Sequence, residues 1–518
     1  MELPRPHTQP NTRPELTGQP EAIVAAIQDL HALDAPTHGG HVLSYVYDTG
    51  EQVIDDLAAR AARVVQSVNG LDPTTFPSVA VMERDLVRFT RDMLHGDGDV
   101  FGNVTSGGTE SCLLAVRTAR DVWRLGREPY AVARMVAPST VHAVFRKAAK
   151  YFDVILDEVP VDPATGRVDP ADIEARLGDD VALVVLSAPN YPYAQLDPIA
   201  QLGPVLAERG IALHVDACIG GFALPWWQGM DAPWDFAVPG VTSISADLHK
   251  YGYAPKGASV LLHRGAQRHR QQYFAITDWP GYPVVNPTIM GSKSAGPVAA
   301  AWAIVEYLGA DGFARKVADM QEATAALMAG INAIEGLRVQ GTPAGPLLAV
   351  VSDDSVPADR RVNPHLLVDE VRTSGWVLQS QPGHVQGDGT LLPQSAHMTI
   401  TPVTHGKTDE LLAAIGAAAD VVRGRPGALE DPGVLAAVEA ITAQFAALGV
   451  GLGGEGIESV PTAAVVGLLG ALGMSAEMAA QGQIPPSMAD LLAVSQLLPE
   501  PLSNRLLTEI LAQVVEPA

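Results

Sequence analysis

Short β-branched and aliphatic runs at four places constrain this chain most: Val181-Ala182-Leu183-Val184-Val185-Leu186, Ala212-Leu213-His214-Val215, Ser243-Ile244-Ser245 and Ser259-Val260-Leu261-Leu262. Longer stretches with helical spacing alternate with them. Nearly continuous apolar strands separated by helices predict an α/β fold whose mostly parallel sheet is covered on both faces. Sheets of that kind take ligands at the carboxyl ends of their strands. Asp216 closes the second run, and His249-Lys250 follows the third closely.

At 518 residues the chain exceeds one ordinary core, and a prior of about 150 residues per domain suggests two to four folding units. Its residues are 47% hydrophobic and 18% charged, enough to bury a large interior. A net charge of -24 without a dense Lys/Arg face argues against a nucleic-acid partner. Two cysteines, Cys112 and Cys218, with no CxxC pair, speak against a disulfide scaffold or metal cluster and for a reducing, cytoplasmic setting. The polar, proline-rich N-terminus has no signal-peptide core. The apolar stretch Ala463 to Met474 falls short of the roughly 20 residues of a spanning helix and reads as a buried or interface helix. The expected division is a flexible arm (1–20), a helical segment (21–95), a large ligand-binding domain (96–295), a smaller α/β domain (296–422) opening with helices Pro297–Leu308 and Gly312–Ile334, and after a linker a helical extension (428–518).

Thr105-Ser106-Gly107-Gly108-Thr109-Glu110-Ser111 precedes a helical pattern. The glycines admit an anion close to the backbone, Thr109 adds a hydroxyl, and the helix start adds free N–H groups. Alone, such a turn is more often structural. His142 lies near the start of another helix, either as a cap or as a flat ring that could stack on a ligand and transfer a proton. Asp216 needs a partner if buried, a pyridinium nitrogen or else a nearby arginine or a backbone cap; Lys250 supplies an amine, or is a surface lysine ending a strand. In this order, a phosphate cup, a stacking ring, a strand-end carboxylate and a strand-end lysine are what pyridoxal 5′-phosphate (PLP) requires. The lysine forms a Schiff base, and the carboxylate keeps the pyridine nitrogen protonated so that the ring acts as an electron sink.

TSGGTES, HVDACIGGF and SISADLHKYGYAPKG together resemble the sphingosine-1-phosphate lyase branch of the PLP-dependent group II decarboxylase family, from about His41 to Val422. The resemblance implies the aspartate aminotransferase-like type I fold and a homodimer with shared active sites. Lys250 would be the Schiff-base lysine, Asp216 the pyridine-nitrogen partner and His142 the stacking residue. Gly108, Thr109 and His249 would hold the cofactor phosphate, with Gly291 and Ser292 completing that site from the other subunit. Lys256 matches a lysine near the substrate phosphate, and Tyr47 an active-site tyrosine.

Two positions depart from that pattern. Asp72 stands where the sphingoid lyases carry a phosphate-binding histidine, and a carboxylate there repels phosphate but could hold an ammonium or guanidinium group. Val284 stands where they place a tyrosine, with Tyr282 two positions away. The expected activity is a PLP-dependent carbon–carbon lyase on a small-molecule amine or amino acid, either decarboxylating it or cleaving a β-hydroxy amine by a retro-aldol step. Lys256, Tyr47 and His142 are the candidates for proton handling. An aminotransferase, or a non-catalytic binding subunit on the same fold, are the alternatives.

Overall fold

The structure, a computed structural model, describes residues 18–128, 130–230, 232–468 and 487–515. Most of the expected N-terminal arm, and the second half of the apolar stretch after Ala463, lie outside the described residues. Where description begins, Pro20–His31 is already a helix with no buried residue.

Seven strands make the large sheet: β1 (Val100–Thr105), β2 (Ala133–Pro138), β3 (Val154–Val159), β4 (Val181–Ser187), β5 (Ala212–Asp216), β6 (Val241–Ala246) and β7 (Ser259–Arg264). Their order is β1-β7-β6-β5-β4-β2-β3, and only β7 runs antiparallel to its neighbours. Every residue of β4 and β5 is buried, because helices cover both faces. Alternate side chains part to opposite sides. Val184, Leu186, Leu213 and Val215 join one core with Phe222, Ile304 and Phe313. Leu183, Val185 and Ala212 join another with Cys112, Val116, Phe145 and Ala148.

The long helical run Gly296–Asn332 breaks at Gly309, where φ is 54° and ψ is -176°. The break falls between the two helices expected from sequence. Ala301 and Ile304 before the break and Val317 after it pack into the large-sheet core, while Leu327 and Ile331 enter the core of a second domain.

After an exposed hairpin of β8 (Phe274–Ile276) and β9 (Val284–Asn286), the second domain carries β10 (Leu337–Val339), β11 (Leu347–Ser352), β12 (Gln379–Gln381), β13 (His384–Val385), β14 (Leu391–Leu392) and β15 (Ser395–Thr399). Four of them form an antiparallel sheet ordered β10-β11-β15-β12. The segment after residue 40 is stitched onto this domain: Leu43 N–H donates to Val377 O (2.8 Å), Val377 N–H to His41 O (2.8 Å) and Thr399 N–H to Leu43 O (2.7 Å).

The C-terminal helices Pro432–Ala447, Thr462–Leu468, Met488–Leu497 and Glu500–Val515 share a separate apolar cluster that includes Ile441, Phe445, Val494 and Leu502. They dock on the helix Pro364–Thr373, whose Asp369 accepts from Ala489 N–H at the start of Met488–Leu497 (3.0 Å). Among the described residues no helix is long and apolar enough to cross a membrane.

Candidate active site

β6 ends at Ala246, and the chain turns at once through Asp247, His249 and Lys250. Backbone bonds fix the turn: His249 N–H donates to Ala258 O (3.1 Å) and Ala254 N–H to Leu248 O (3.0 Å). Lys250 Nζ meets Asp247 Oδ2 at 3.0 Å, and His249 Nε2 stands 3.6 Å from the same oxygen. Burial alone would lower the Lys250 amine, but Asp247 and the other negative groups around it hold it well above the ordinary lysine range. Lys256 returns to the same place. Its Nζ donates to His249 O (2.9 Å) and sits 4.6 Å above the Tyr47 ring, which meets Tyr251 edge-on at 5.0 Å. Burial and the charge of Lys250 bring Lys256 down to about 8, whereas burial pushes the Tyr47 phenol up to about 12. Tyr47 therefore keeps its proton at neutral pH, and Lys256 can shed one. The strand-like pairing of Leu43 with the second domain carries Tyr47 here.

Asp216, the last residue of β5, lies beside Ser187 of β4 and Ser245 of β6. Its Oδ1 accepts from Cys218 N–H (3.1 Å) and from the Ser245 hydroxyl (3.4 Å). Ser245 in turn meets His214 Nε2 at 3.2 Å, and His214 Nδ1 lies 2.9 Å from Ser243 Oγ. Burial pushes the Asp216 carboxyl up, but His142, His214, the Cys218 hydrogen bond and Lys250 together hold it below the usual carboxylate range. It is a buried anion at the place where a protonated ring nitrogen needs one. His142 caps the helix Ala143–Phe152, its Nδ1 accepting from Val144 N–H at 3.2 Å, while the residue stays exposed. The cap fixes one edge of the imidazole and leaves its face open.

The third wall is the turn between β1 and the helix Gly108–Arg124. A Cβ on Gly108 would strike Asp247 Oδ2 at 2.6 Å, Oδ1 at 2.8 Å and Cys218 Sγ at 2.9 Å; one on Gly107, where φ is +154°, would meet His249 Cε1 at 3.1 Å. Only glycine lets this backbone come so close to the lysine turn. Thr109 is exposed in the first helical turn, among N–H groups that the helix leaves unpaired. His249 Nδ1 is buried without a hydrogen-bond partner among the described residues. The glycine turn with its free N–H groups and the orphaned imidazole nitrogen, the ionised Asp216 carboxylate and the Lys250 amine that acts on it fit PLP in its phosphate, ring and aldehyde parts.

Residues 34–341, more than half of the chain, match the pyridoxal-dependent decarboxylase conserved domain. The chain belongs to the pyridoxal-dependent decarboxylase family, in its sphingosine-1-phosphate lyase branch. The sphingosine-1-phosphate lyase of Dictyostelium discoideum is 32% identical over 413 residues, covering 79% of this chain and 73% of its own. That of Oryza sativa subsp. japonica is 33% identical over 432 residues, covering 81% and 77%. Among solved structures, the Burkholderia pseudomallei K96243 sphingosine-1-phosphate lyase superposes with a TM-score of 0.73 at 31% identity, over 85% of this chain and 97% of its own. Glutamate decarboxylase of Lactobacillus brevis shares the fold, with a TM-score of 0.69 at 19% identity, over 82% of this chain and 96% of its own. Pyridoxal 5′-phosphate is the cofactor, and the protein is a PLP-dependent lyase acting on a small molecule.

Within this pyridoxal-dependent decarboxylase fold the remaining expected residues sit apart from the lysine turn. The carboxylate of Asp72 is consumed by its own turn. It accepts from Thr74 N–H (2.9 Å) and Oγ1 (2.6 Å) and from Thr75 N–H (3.3 Å) and Oγ1 (2.6 Å), and these bonds, led by the Thr74 hydroxyl, depress its pKa. It makes no ion pair with a described residue. Asn69 of the same segment donates to Ser292 Oγ (3.1 Å), and Gly70 N–H to Lys293 O (2.8 Å), so this turn braces the loop that carries Gly291 and Ser292. Tyr282 is 64% exposed, edge-on to Trp279 at the tip of the β8–β9 hairpin, and Val284 pairs with Ile276 within it.

Two acidic residues inside the quoted motifs have roles that sequence reasoning did not assign. Asp247 holds the Lys250 ammonium; its spacing of three residues from that lysine was the available signal. Glu110 is buried and ties two distant segments together, accepting from Ser106 N–H (2.6 Å) in the cup and from Ile289 N–H (2.6 Å) and Met290 N–H (3.3 Å) in the loop before Gly291. Nothing near Glu110 in sequence points to residue 289.

Proposed function

We propose that this lyase cleaves the Cα–Cβ bond of a phosphorylated β-hydroxy amine by a retro-aldol step. PLP supplies the electron sink that receives the pair released at the α-carbon. Asp216, ionised by its surroundings, holds the proton on the ring nitrogen; Gly108, Thr109 and His249 seat the phosphate; His142 presents its face to the ring; Lys250 supplies the amine that anchors the cofactor. The observation that carries the reading is the pairing of Lys256 with Tyr47. An amine brought to about 8 can take the β-hydroxyl proton as the Cβ–O bond becomes a carbonyl, and a phenol held near 12 can donate a hydrogen bond to the oxygen.

A second reading, α-decarboxylation of an amino acid, is favoured by Asp72 and Val284, which remove a phosphate-binding histidine and a tyrosine from the resembling pattern. Gly291 and Ser292 complete the cofactor site of a partner subunit in this proposal. The exposed Tyr282, Val285, Ile289 and Met290 on that side support a homodimer. The buried free thiols Cys112 and Cys218 support a reducing compartment, the cytoplasm. A product assay on the PLP-loaded enzyme decides the chemistry. Long-chain aldehyde with phosphoethanolamine from a phosphorylated 2-amino-3-hydroxy compound is the expected outcome; CO2 from an amino acid, with that compound inert, would replace it with the second reading.

A further inference from the structure

The cofactor takes the carboxyl ends of the parallel strands. A cavity of about 580 Å³ opens at their other ends, lined by the first residues of β4 and β5, Val181 and Ala212. Among the described residues three arginines line it, Arg127, Arg209 and Arg268, against a single acidic residue, Asp179. In a chain of net charge -24 that local balance is reversed.

Two of the three guanidinium groups are unspent. Arg209 and Arg268 make no hydrogen bond or ion pair with any described residue. Arg268 is half-buried, and the loss of water around it holds its pKa below the ordinary arginine range. A partly desolvated cation without a counter-ion is unfavourable, and an anion in the cavity would relieve it. The third arginine is pre-set: Arg127 donates to Trp123 O and lies 4.4 Å from the centre of the indole, which is itself fixed by donation from Nε1 to Asp179 O (3.1 Å).

We propose that this cavity is a binding site for a small phosphate-bearing anion, separate from the catalytic centre. Its volume falls in the range of about 300–1,000 Å³ usual for small-molecule sites. Arginine forks match phosphate oxygens in pairs, which lysine cannot do. β5 joins this site to the catalytic one. Ala212 borders the cavity, and Asp216, about 13 Å further along the strand, is the carboxylate of the cofactor site.

The test is calorimetric titration of the holoenzyme, saturated with PLP and then freed of unbound cofactor, against inorganic pyrophosphate and separately against AMP, at low salt and without divalent metal. The double variant Arg209→Gln/Arg268→Gln is compared with Arg88→Gln, an exposed arginine outside the cavity whose loss removes a charge and its pair with Asp85. The expected result is saturable binding of one anion per chain, weakened about tenfold or more in the double variant and unchanged in Arg88→Gln, with the cofactor absorbance the same in all three. AMP binding more tightly than pyrophosphate identifies a nucleotide site; equal or weaker binding identifies a site for phosphate groups alone. Should the double variant fail to fold, Arg209→Gln, on an exposed helix end, carries the comparison. No saturable binding by the wild type, or binding that the arginine substitutions leave untouched, overturns the proposal.

Discussion

The two halves of the active site are built differently. Asp216, Asp247 and Lys250 sit on or just after strands of one seven-stranded sheet, held by backbone bonds to neighbouring strands or turns, and Gly108 opens the helix that follows β1. Tyr47, Lys256, Asp72, Tyr282 and Val284 come from an N-terminal segment, a loop, a self-contained turn and an exposed hairpin. The cofactor half is fixed by the architecture, so it changes only if the fold does. The proposed substrate half rests on segments that can be altered without disturbing the sheet, and the two departures expected from sequence, Asp72 and Val284, both fall on such segments.

The largest effect should come from the rigid half. Lys250→Ala is expected to abolish the visible absorbance of the lysine-bound cofactor and to lower turnover by roughly four orders of magnitude or more, with unchanged far-UV circular dichroism. A persistent absorbance band would break the assignment. Asp216→Asn should keep the hydrogen bond from Cys218 but lose the charge, lowering kcat by about 10²–10³-fold with little change in KM; an equal loss in the two parameters' ratio through KM alone would place Asp216 outside the chemistry.

Gly108→Ala tests how tightly the cup and the lysine turn are fitted together. Its Cβ would lie 2.6 Å from Asp247 Oδ2, so PLP affinity by equilibrium dialysis should fall and stability should drop by about 1–3 kcal/mol. Wild-type affinity in that variant would show that the turn has room to spare. The flexible half should answer most gently, through pH. With Lys256 at about 8 acting as the proton acceptor, kcat should rise as pH passes upward through that value, because the neutral amine is the working form. Lys256→Gln should flatten that limb. If Lys256 instead served only as an ammonium holding substrate phosphate, the rate would fall over the same interval.

The same division explains what could be read in the sequence. β4 through β7 were legible because they are short runs, mostly of residues buried on both faces. β1, β2 and β3 were not: Gly102 and Asn103 interrupt the first, Arg134 the second, and β3 is an edge strand whose middle residues are only partly buried or exposed. Asp216 and Lys250 stood out since each lies at or just beyond a strand end. Glu110 and Leu43 act through partners some 180 and 330 residues away, and local pattern holds no trace of such a pairing. Asp72 was visible as a departure, yet its engagement by Thr74 and Thr75 emerges only from the geometry of the turn.

The helical run Gly296–Asn332 has a mechanical consequence. Its Ile304, Phe313, Val317 and Met320 are embedded in the large-sheet core, and its Ala323, Leu327 and Ile331 in the core of the second domain. The break at Gly309 lies well inside the first of these, so the stretch that crosses from one body to the other is an unbroken helix. Such a strut resists bending, because a kink there would cost helical hydrogen bonds with no proline or glycine to absorb it. The two bodies are thereby splinted, and clamshell closing is disfavoured as a way of admitting substrate.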